Sequence, residues 1–223
     1  IAVDASSAAF ITVSFQGTSD FDPVAGTMHL LSMGDTDAFV QKLDAMGALV
    51  WAVAAGSTSA DSGNDIVVDG SAGVYSTGLF SGTVDFDPGL SVASLTAVGG
   101  MDAYVQCLDT DTGSLTWAKG VGGGGSDIGR AIALNGEGSP CVAGSFLGTV
   151  DFDPGAGTFS LTSAGDDDIF VLKLDVAGDF VQALAVGGTS DDCGKDIFVD
   201  ASGNIYNTGY FAGTVDFDTG EGV

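Results

Sequence analysis

Three cysteines, four prolines, one histidine and five Lys and Arg residues are all that this 223-residue chain has of those types. Each scarcity excludes something. Cys107, Cys141 and Cys193 are odd in number and fall at different places in the sequence pattern, so no disulfide framework can be read from them. No Cys-x-x-Cys pair offers a structural zinc site. Proline is too scarce for a collagen or a Pro-rich linker. The single histidine, His29, sits at or beside the place that Ala93 and Phe159 hold elsewhere, and it has no repeating partner. A lone histidine is not an acid–base system, and no ordered set of Ser, Asp and His stands out. The glycines of Gly122–Gly125 are not followed by Lys-Ser/Thr or by a helix, so they read as a flexible turn rather than a phosphate loop. The longest apolar run, Ala48–Ala55, is far too short to span a bilayer. The chain is expected to be neither an enzyme nor inserted in a membrane.

What is abundant is aspartate and glycine. Asp and Glu number 30 against 5 Lys and Arg, for a formal net charge of −25. Such a chain repels nucleic acid and anionic membranes, and its natural counter-charges are calcium, basic partners or high salt. Asp favours turns and metal ligation over helices. Glycine, at 36 residues, points to many tight turns between short strands. With 45% hydrophobic residues, a packed core is expected rather than disorder. The chain opens at Ile1 without Met and without a charged segment leading an apolar one, which reads as a processed chain or a window cut from a longer one.

The sequence repeats. Asp-Phe-Asp recurs at Asp20-Phe21-Asp22, Asp85-Phe86-Asp87, Asp151-Phe152-Asp153 and Asp216-Phe217-Asp218, with spacings of 65, 66 and 65 residues. A second motif keeps the same period: Ile1–Asp4, Ile66–Asp69, Ile132–Asn135 and Ile197–Asp200. A third occurs at Asp37–Val40, Asp102–Val105 and Asp168–Val171, each followed by Leu-Asp. The chain therefore divides into repeats at 1–65, 66–131 and 132–196, with a partial fourth at 197–223.

Within the second repeat the pattern predicts strands over Ile66–Asp69, Val74–Phe80, Thr83–Phe86, Asp102–Asp109 and Ser114–Lys119, with a further extended piece at Ser91–Val98. A turn at Gly70–Gly73 joins the first two. No segment carries apolar residues at helical spacing. The expected class is all-β: blades of a β-propeller, or an open stacked array of β-repeats. Phe10, Tyr75 and Tyr206 are equivalent and Cys141 shares their position, so a buried structural cysteine is expected there.

These motifs resemble the bacterial β-propeller repeats of the SBBP type. The resemblance is carried by Ile197–Asp200, Gly203–Tyr206, Thr208-Gly209, Gly213–Asp218, Asp168–Asp175 and Gly187-Gly188, and it extends over essentially the whole chain. It implies a propeller in a secreted or cell-surface bacterial protein with a binding or scaffolding role, and it supplies no catalytic residues. A closed propeller has four to eight blades. Three and a fraction are too few, and both ends carry the same half of the repeat. The expectation is a fragment, an open stack, or closure by strands of another chain. Exposed strand edges invite pairing, which points to head-to-tail assembly.

The candidate ligands are the Asp-Phe-Asp acids: Asp20, Asp22, Asp85, Asp87, Asp151, Asp153, Asp216 and Asp218. On a strand the two acids share one face while Phe packs on the other. Paired carboxylates are unfavourable unless a cation screens them, and oxygen-rich Asp/Gly turns suit calcium. The competing reading is solvated strand-end acids before a Pro-Gly turn, since no EF-hand or RTX spacing is present. A second acidic group, Asp61, Asp65, Asp127, Asp191, Asp192 and Asp196, reads as turn-forming Asp bonding its own backbone. The hairpin acids Asp44, Asp109, Asp111 and Asp175 read the same way. Lys42 and Lys173 are expected to make local ion pairs, and the equivalent Trp51 and Trp117 to pack in the core or between blades. The function expected is a secreted, calcium-stabilised structural or adhesive array that self-assembles into oligomers or filaments. The alternative is a propeller module that binds a glycan or a cell-surface protein.

Overall fold

A computed structural model describes residues 1–70 and 73–218. The protein is all-β, with sixteen strands among the described residues. The first sheet has the order β1 (Ala2–Val3), β2 (Ala9–Asp20), β3 (His29–Leu43), β4 (Leu49–Ala55). The second begins with β5 (Ser62–Asp69), β6 (Gly73–Asp85), β7 (Ser94–Leu108) and β8 (Leu115–Gly123). The third is built from β9 (Ile128–Leu134), β10 (Pro140–Phe146), β13 (Asp168–Leu174) and β14 (Phe180–Val186). Between them in sequence, β11 (Thr149–Asp151) and β12 (Ser160–Thr162) leave the third sheet and extend the second, β11 pairing with β8. The last pair is β15 (Cys193–Val199) with β16 (Ile205–Tyr210).

The first sheet is an antiparallel meander of four strands in chain order, the form of a propeller blade; the second contains the same meander, β5 to β8, extended by β11 and β12, and the third pairs β10 directly with β13. Consecutive sheets pack face on face. Phe10, Val40 and Trp51 of the first meet Ile66, Val74 and Leu108 of the second. Tyr75, Val105 and Cys107 of the second meet Ile132, Val142, Phe170 and Leu172 of the third. Ala131, Cys141 and Ala143 of the third meet Ile197 and Val199. One repeat cannot bury both of its apolar faces alone, so stacking builds the core. All three cysteines are buried and unpaired, Cys141 in the structural position expected of it.

The strands are longer than predicted. Val74–Phe80 and Thr83–Phe86, read as two strands, are one: β6 runs through a bulge at Gly82, whose φ of +63° suits glycine. The extended piece Ser91–Val98 likewise merges with Asp102–Asp109 into β7. The predicted Gly70–Gly73 turn includes Ser71 and Ala72, which lie outside the described residues. Of the Gly122–Gly125 segment, Gly122 and Gly123 belong to β8 and Gly124 and Gly125 form the bend after it. A Cβ on Gly123 would strike the Thr149 carbonyl oxygen, and one on Gly125 would lie 2.5 Å from that of Leu147, so these glycines let two backbones touch.

Candidate functional site

The Asp-Phe-Asp motif closes the turn at the end of β2, β6 and β11, and follows β16 in the last repeat. Asp85 Oδ1 accepts the backbone N–H groups of Asp87 (3.1 Å) and Ala93 (2.8 Å). Asp20 Oδ1 does the same for Asp22 and Met28, and Asp151 Oδ1 for Asp153 and Phe159. Asp216 Oδ1 accepts from Asp218 N–H at 2.9 Å. The second acid caps the next step: Asp22, Asp87 and Asp153 accept from Val24, Gly89 and Gly155. The N–H groups of Met28 and Asp22 hold the Asp20 carboxyl below its ordinary range. Between the acids, Phe86 and Phe152 are buried edge-on against Phe80 and Phe146. The eight predicted metal ligands thus lie in four separate turns. No three His, Cys, Asp or Glu side chains among the described residues close on one metal position.

Three of the hairpin acids behave as read: Asp44 Oδ1 caps Met46 and Ala48, Asp109 caps Asp111 and Thr112, and Asp175 caps Ala177 and Asp179, whereas the Asp111 carboxylate faces Lys42 of the first sheet. His29 is exposed opposite Asp20 in the register. Lys42 does not pair locally: its ammonium reaches the neighbouring sheet, 3.0 Å from Thr110 O and 3.7 Å from Asp111. The tryptophans cross the same interfaces. Trp51 donates to Thr110 O and Trp117 to Val176 O, each from the last strand of one sheet to a turn of the next.

Two further sets of aspartates are buried. Asp61, Asp127 and Asp192 each use both oxygens: Oδ2 accepts from Ser57, Gly123 and Gly188, and Oδ1 from Ser81, Leu147 and Ala212 twenty residues onward. The reading of Asp61, Asp127 and Asp192 as purely local turn formers is therefore incomplete, because the second bond ties each inter-sheet crossing to the far end of the next hairpin. Asp37, Asp102 and Asp168 sit opposite Phe15, Phe80 and Phe146 in the register. Their Oδ2 atoms accept from Met33, Val98 and Ala164, whereas all three Oδ1 atoms are buried without a hydrogen-bond partner. Each carboxylate lies against a glycine, Gly56, Gly122 or Gly187, where any Cβ would collide with it. The two sets are neighbours: the N–H groups of Asp61, Asp127 and Asp192 bond to the carbonyls of Thr36, Met101 and Asp167, each one residue before its partner acid. Burial pushes the carboxyls of Asp37, Asp61, Asp102 and Asp168 up, and that of Asp127 to about 6. A signal for this second set was present in the sequence, in an Asp followed by Gly 19 or 20 residues later in each of the three repeats.

No family model matches the chain. Over 118 residues it is 25% identical to a protein described as an uncharacterized WD repeat-containing protein of Acanthamoeba polyphaga mimivirus, a match that takes in 47% of this chain and 8% of that protein. The chain thus spans a small part of that relative's length. WD repeats are four-stranded propeller blades, which agrees with the meanders described above. The chain is an all-β repeat protein with propeller-like sheets.

Proposed function

We propose that this chain is a secreted structural or adhesive module that assembles with further repeats of its own kind. The observation that carries the reading is the fate of equivalent aromatic residues. Phe80 and Phe86 in the second repeat, and Phe146 and Phe152 in the third, are at most 2% exposed, covered by the strands that follow them. Phe211 and Phe217, their equivalents beside β16, are 54% and 61% exposed. Among the described residues β16 is paired on one edge only, with β15. An apolar face beside an open strand edge accepts a further strand, from a following repeat or from another copy. The complement is written in the chain itself, in the third- and fourth-strand hairpins of the other repeats.

Calcium belongs to this reading as the counter-charge of the Asp-Phe-Asp turns, supported by the paired carboxylates and the net charge of −25. Extracellular placement is supported by the acidic, Gly-rich repeats. The test is electron microscopy and sedimentation velocity of the purified chain over a wide concentration range, with and without a calcium chelator. Oligomers or filaments that grow with concentration are expected, and their loss on chelation assigns the calcium. A monodisperse monomer throughout overturns assembly.

A further inference from the structure

The same socket is built three times and filled twice. In the second and third repeats the turn between the last two strands of the sheet carries a left-handed glycine, Gly113 (φ +71°) or Gly178 (φ +80°). Against each lies an indole from the sheet before it in the chain, Trp51 on Gly113 and Trp117 on Gly178, where a Cβ would stand 2.8 Å and 2.9 Å from ring atoms. Each indole N–H donates to a carbonyl of that turn, Thr110 O at 3.1 Å and Val176 O at 3.0 Å. The first repeat has the same turn, Asp44–Ala48. Gly47 N–H donates to Asp44 O at 2.9 Å, as Gly178 N–H does to Asp175 O at 3.0 Å. Asp44 Oδ1 accepts from Met46 and Ala48 at 2.8 and 2.9 Å, the distances at which Asp175 Oδ1 accepts from Ala177 and Asp179. Gly47 is left-handed too, at φ +80°, yet beyond its chain neighbours no described atom stands within 4 Å of the place a Cβ would take.

The apolar wall of the socket is repeated as well. Trp51 shares a cluster with Val68 and Leu108 of the second sheet, and Trp117 with Leu134 and Leu174 of the third. Their equivalents in the first sheet are Val3 and Leu43. Leu108 and Leu174 are at most 1% exposed, whereas Leu43 is half-buried and Val3 is 61% exposed. The occupant is read from the two filled sockets. The chain has 2 tryptophans, and both are engaged within it. The third repeat carries Gln182 at their position. A second copy of the chain therefore has no free indole to offer, and the occupant comes from a repeat that this chain does not hold. We propose that the Asp44–Ala48 turn is a binding site for an indole: the tryptophan of another repeat of this kind, its ring lying on Gly47 and its N–H donating to the carbonyl of Ala45, which stands where Val176 does.

The source of the tryptophan rests on the assembly reading, but the socket does not, and the two are tested apart. The whole chain, at dilutions where it is monomeric, is titrated with N-acetyltryptophanamide while backbone amide signals are followed by NMR. Saturable shifts are expected at Ala45, Met46, Gly47 and Ala48, with the roughly millimolar affinity that suits a single side chain. None are expected at Gly113 or Gly178, whose sockets are filled. The same probe methylated on the indole nitrogen keeps the ring and loses the donor, and is expected to bind about two- to tenfold more weakly. Gly47→Asn keeps the turn, because Asn accepts the left-handed conformation, and places a side chain where the ring would lie. It is expected to abolish saturation. Gly203→Asn, at the left-handed and equally open glycine of the last hairpin, leaves the affinity unchanged. Shifts that never saturate, that survive Gly47→Asn, or that N-acetylphenylalaninamide or the methylated probe reproduces at equal affinity overturn the proposal. A saturable socket on a chain that stays monomeric at every concentration sinks assembly and leaves the socket standing. A chain that associates and does not bind the indole does the reverse.

Discussion

Trp51 donates its indole N–H to the carbonyl oxygen of Thr110 across a sheet boundary, at 3.1 Å. The same bond runs from Trp117 to Val176 one repeat later, at 3.0 Å. In both cases the ring lies against a glycine of left-handed conformation, Gly113 (φ +71°) or Gly178 (φ +80°), where a Cβ would stand 2.8 Å and 2.9 Å from the indole. The last strand of one sheet is thereby fixed to the turn between the last two strands of the next. Trp51→Phe keeps much of the packing and loses the bond, for about 1 kcal/mol. The Thr110 carbonyl still has Lys42 as a donor. Trp51→Ala opens the interface and is expected to cost about 3–5 kcal/mol. Gly113→Ala strains the turn and pushes on the ring at once, for at least about 1 kcal/mol. Urea unfolding of the three variants checks that Trp51→Ala costs more than Trp51→Phe. Equal effects would mean that the ring's packing contributes nothing.

The period, the Asp-Phe-Asp turns and the inter-sheet tryptophans were legible in the sequence because each repeats as a residue type at a fixed offset. Strand lengths were less so. Gly82 looks like a turn between two strands and is a bulge inside one, because its neighbours still find partners on β7. The second bonds of Asp61, Asp127 and Asp192 were hidden by distance, since their donors come from the far end of the next hairpin. The transfer of β11 to the second sheet turns on Gly123 standing where the first repeat has Ser57, a one-residue difference with no meaning until the two backbones are seen to touch.

Stability is expected to fall as pH rises from about 4 to about 7. Burial raises the folded-state carboxyls of Asp37, Asp61, Asp102 and Asp168, and brings Asp127 to about 6 from an ordinary 3.8. Between those values the folded chain holds protons that the unfolded chain has lost, so raising the pH favours unfolding. The full stabilising effect is present below about 4 and is gone above about 6 for Asp127. That residue alone accounts for up to about 3 kcal/mol, because a tenfold difference in proton affinity between the folded and unfolded chain is worth roughly 1.4 kcal/mol. The net charge of −25 acts in the same direction through self-repulsion. The exposed caps Asp4, Asp20, Asp109 and Asp200 have lowered carboxyls and oppose this below the ordinary carboxylate range, so the optimum lies on the acid side of neutral. Denaturant midpoints at several pH values measure the slope, and Asp127→Asn should flatten it. A midpoint that climbs steadily to pH 8 would contradict the argument.

The Asp-Phe-Asp turns separate capping from metal binding by one comparison. Asp85 Oδ1 accepts two N–H groups, at 3.1 and 2.8 Å. Asp85→Ala removes both and is expected to cost about 1 kcal/mol, as other lost side-chain caps do. Asp85→Asn retains an oxygen acceptor and is expected to keep most of that stability. Calcium changes the ranking, because an amide is a poor substitute for a carboxylate ligand. If calcium sits at the turn, added calcium raises the melting temperature of the parent protein, and both variants lose part of that rise. Melting curves with calcium and with chelator decide between the two, and identical curves for the parent protein remove calcium from the turns.

Assembly makes the sharpest demand on Phe211 and Phe217, which meet edge-on at 5.4 Å and stand largely in solvent. In the second and third repeats the same edge-on pairs, Phe80 with Phe86 and Phe146 with Phe152, are buried. The stacked core lies elsewhere: Ile197 and Val199 face the third sheet, while Phe211 and Phe217 do not. Replacing both with serine should therefore leave unfolding of the protein nearly unchanged. Association should weaken strongly, because each exposed Phe that becomes covered contributes about 1.5–3 kcal/mol. Sedimentation velocity of the double variant is expected to show monomer at concentrations where the parent protein associates. A control pair on the opposite end, Val3→Ser with Val13→Ser, removes exposed apolar side chains from the first sheet. If that pair abolishes association and the phenylalanine pair does not, the contact surface is the first sheet rather than the open edge of β16.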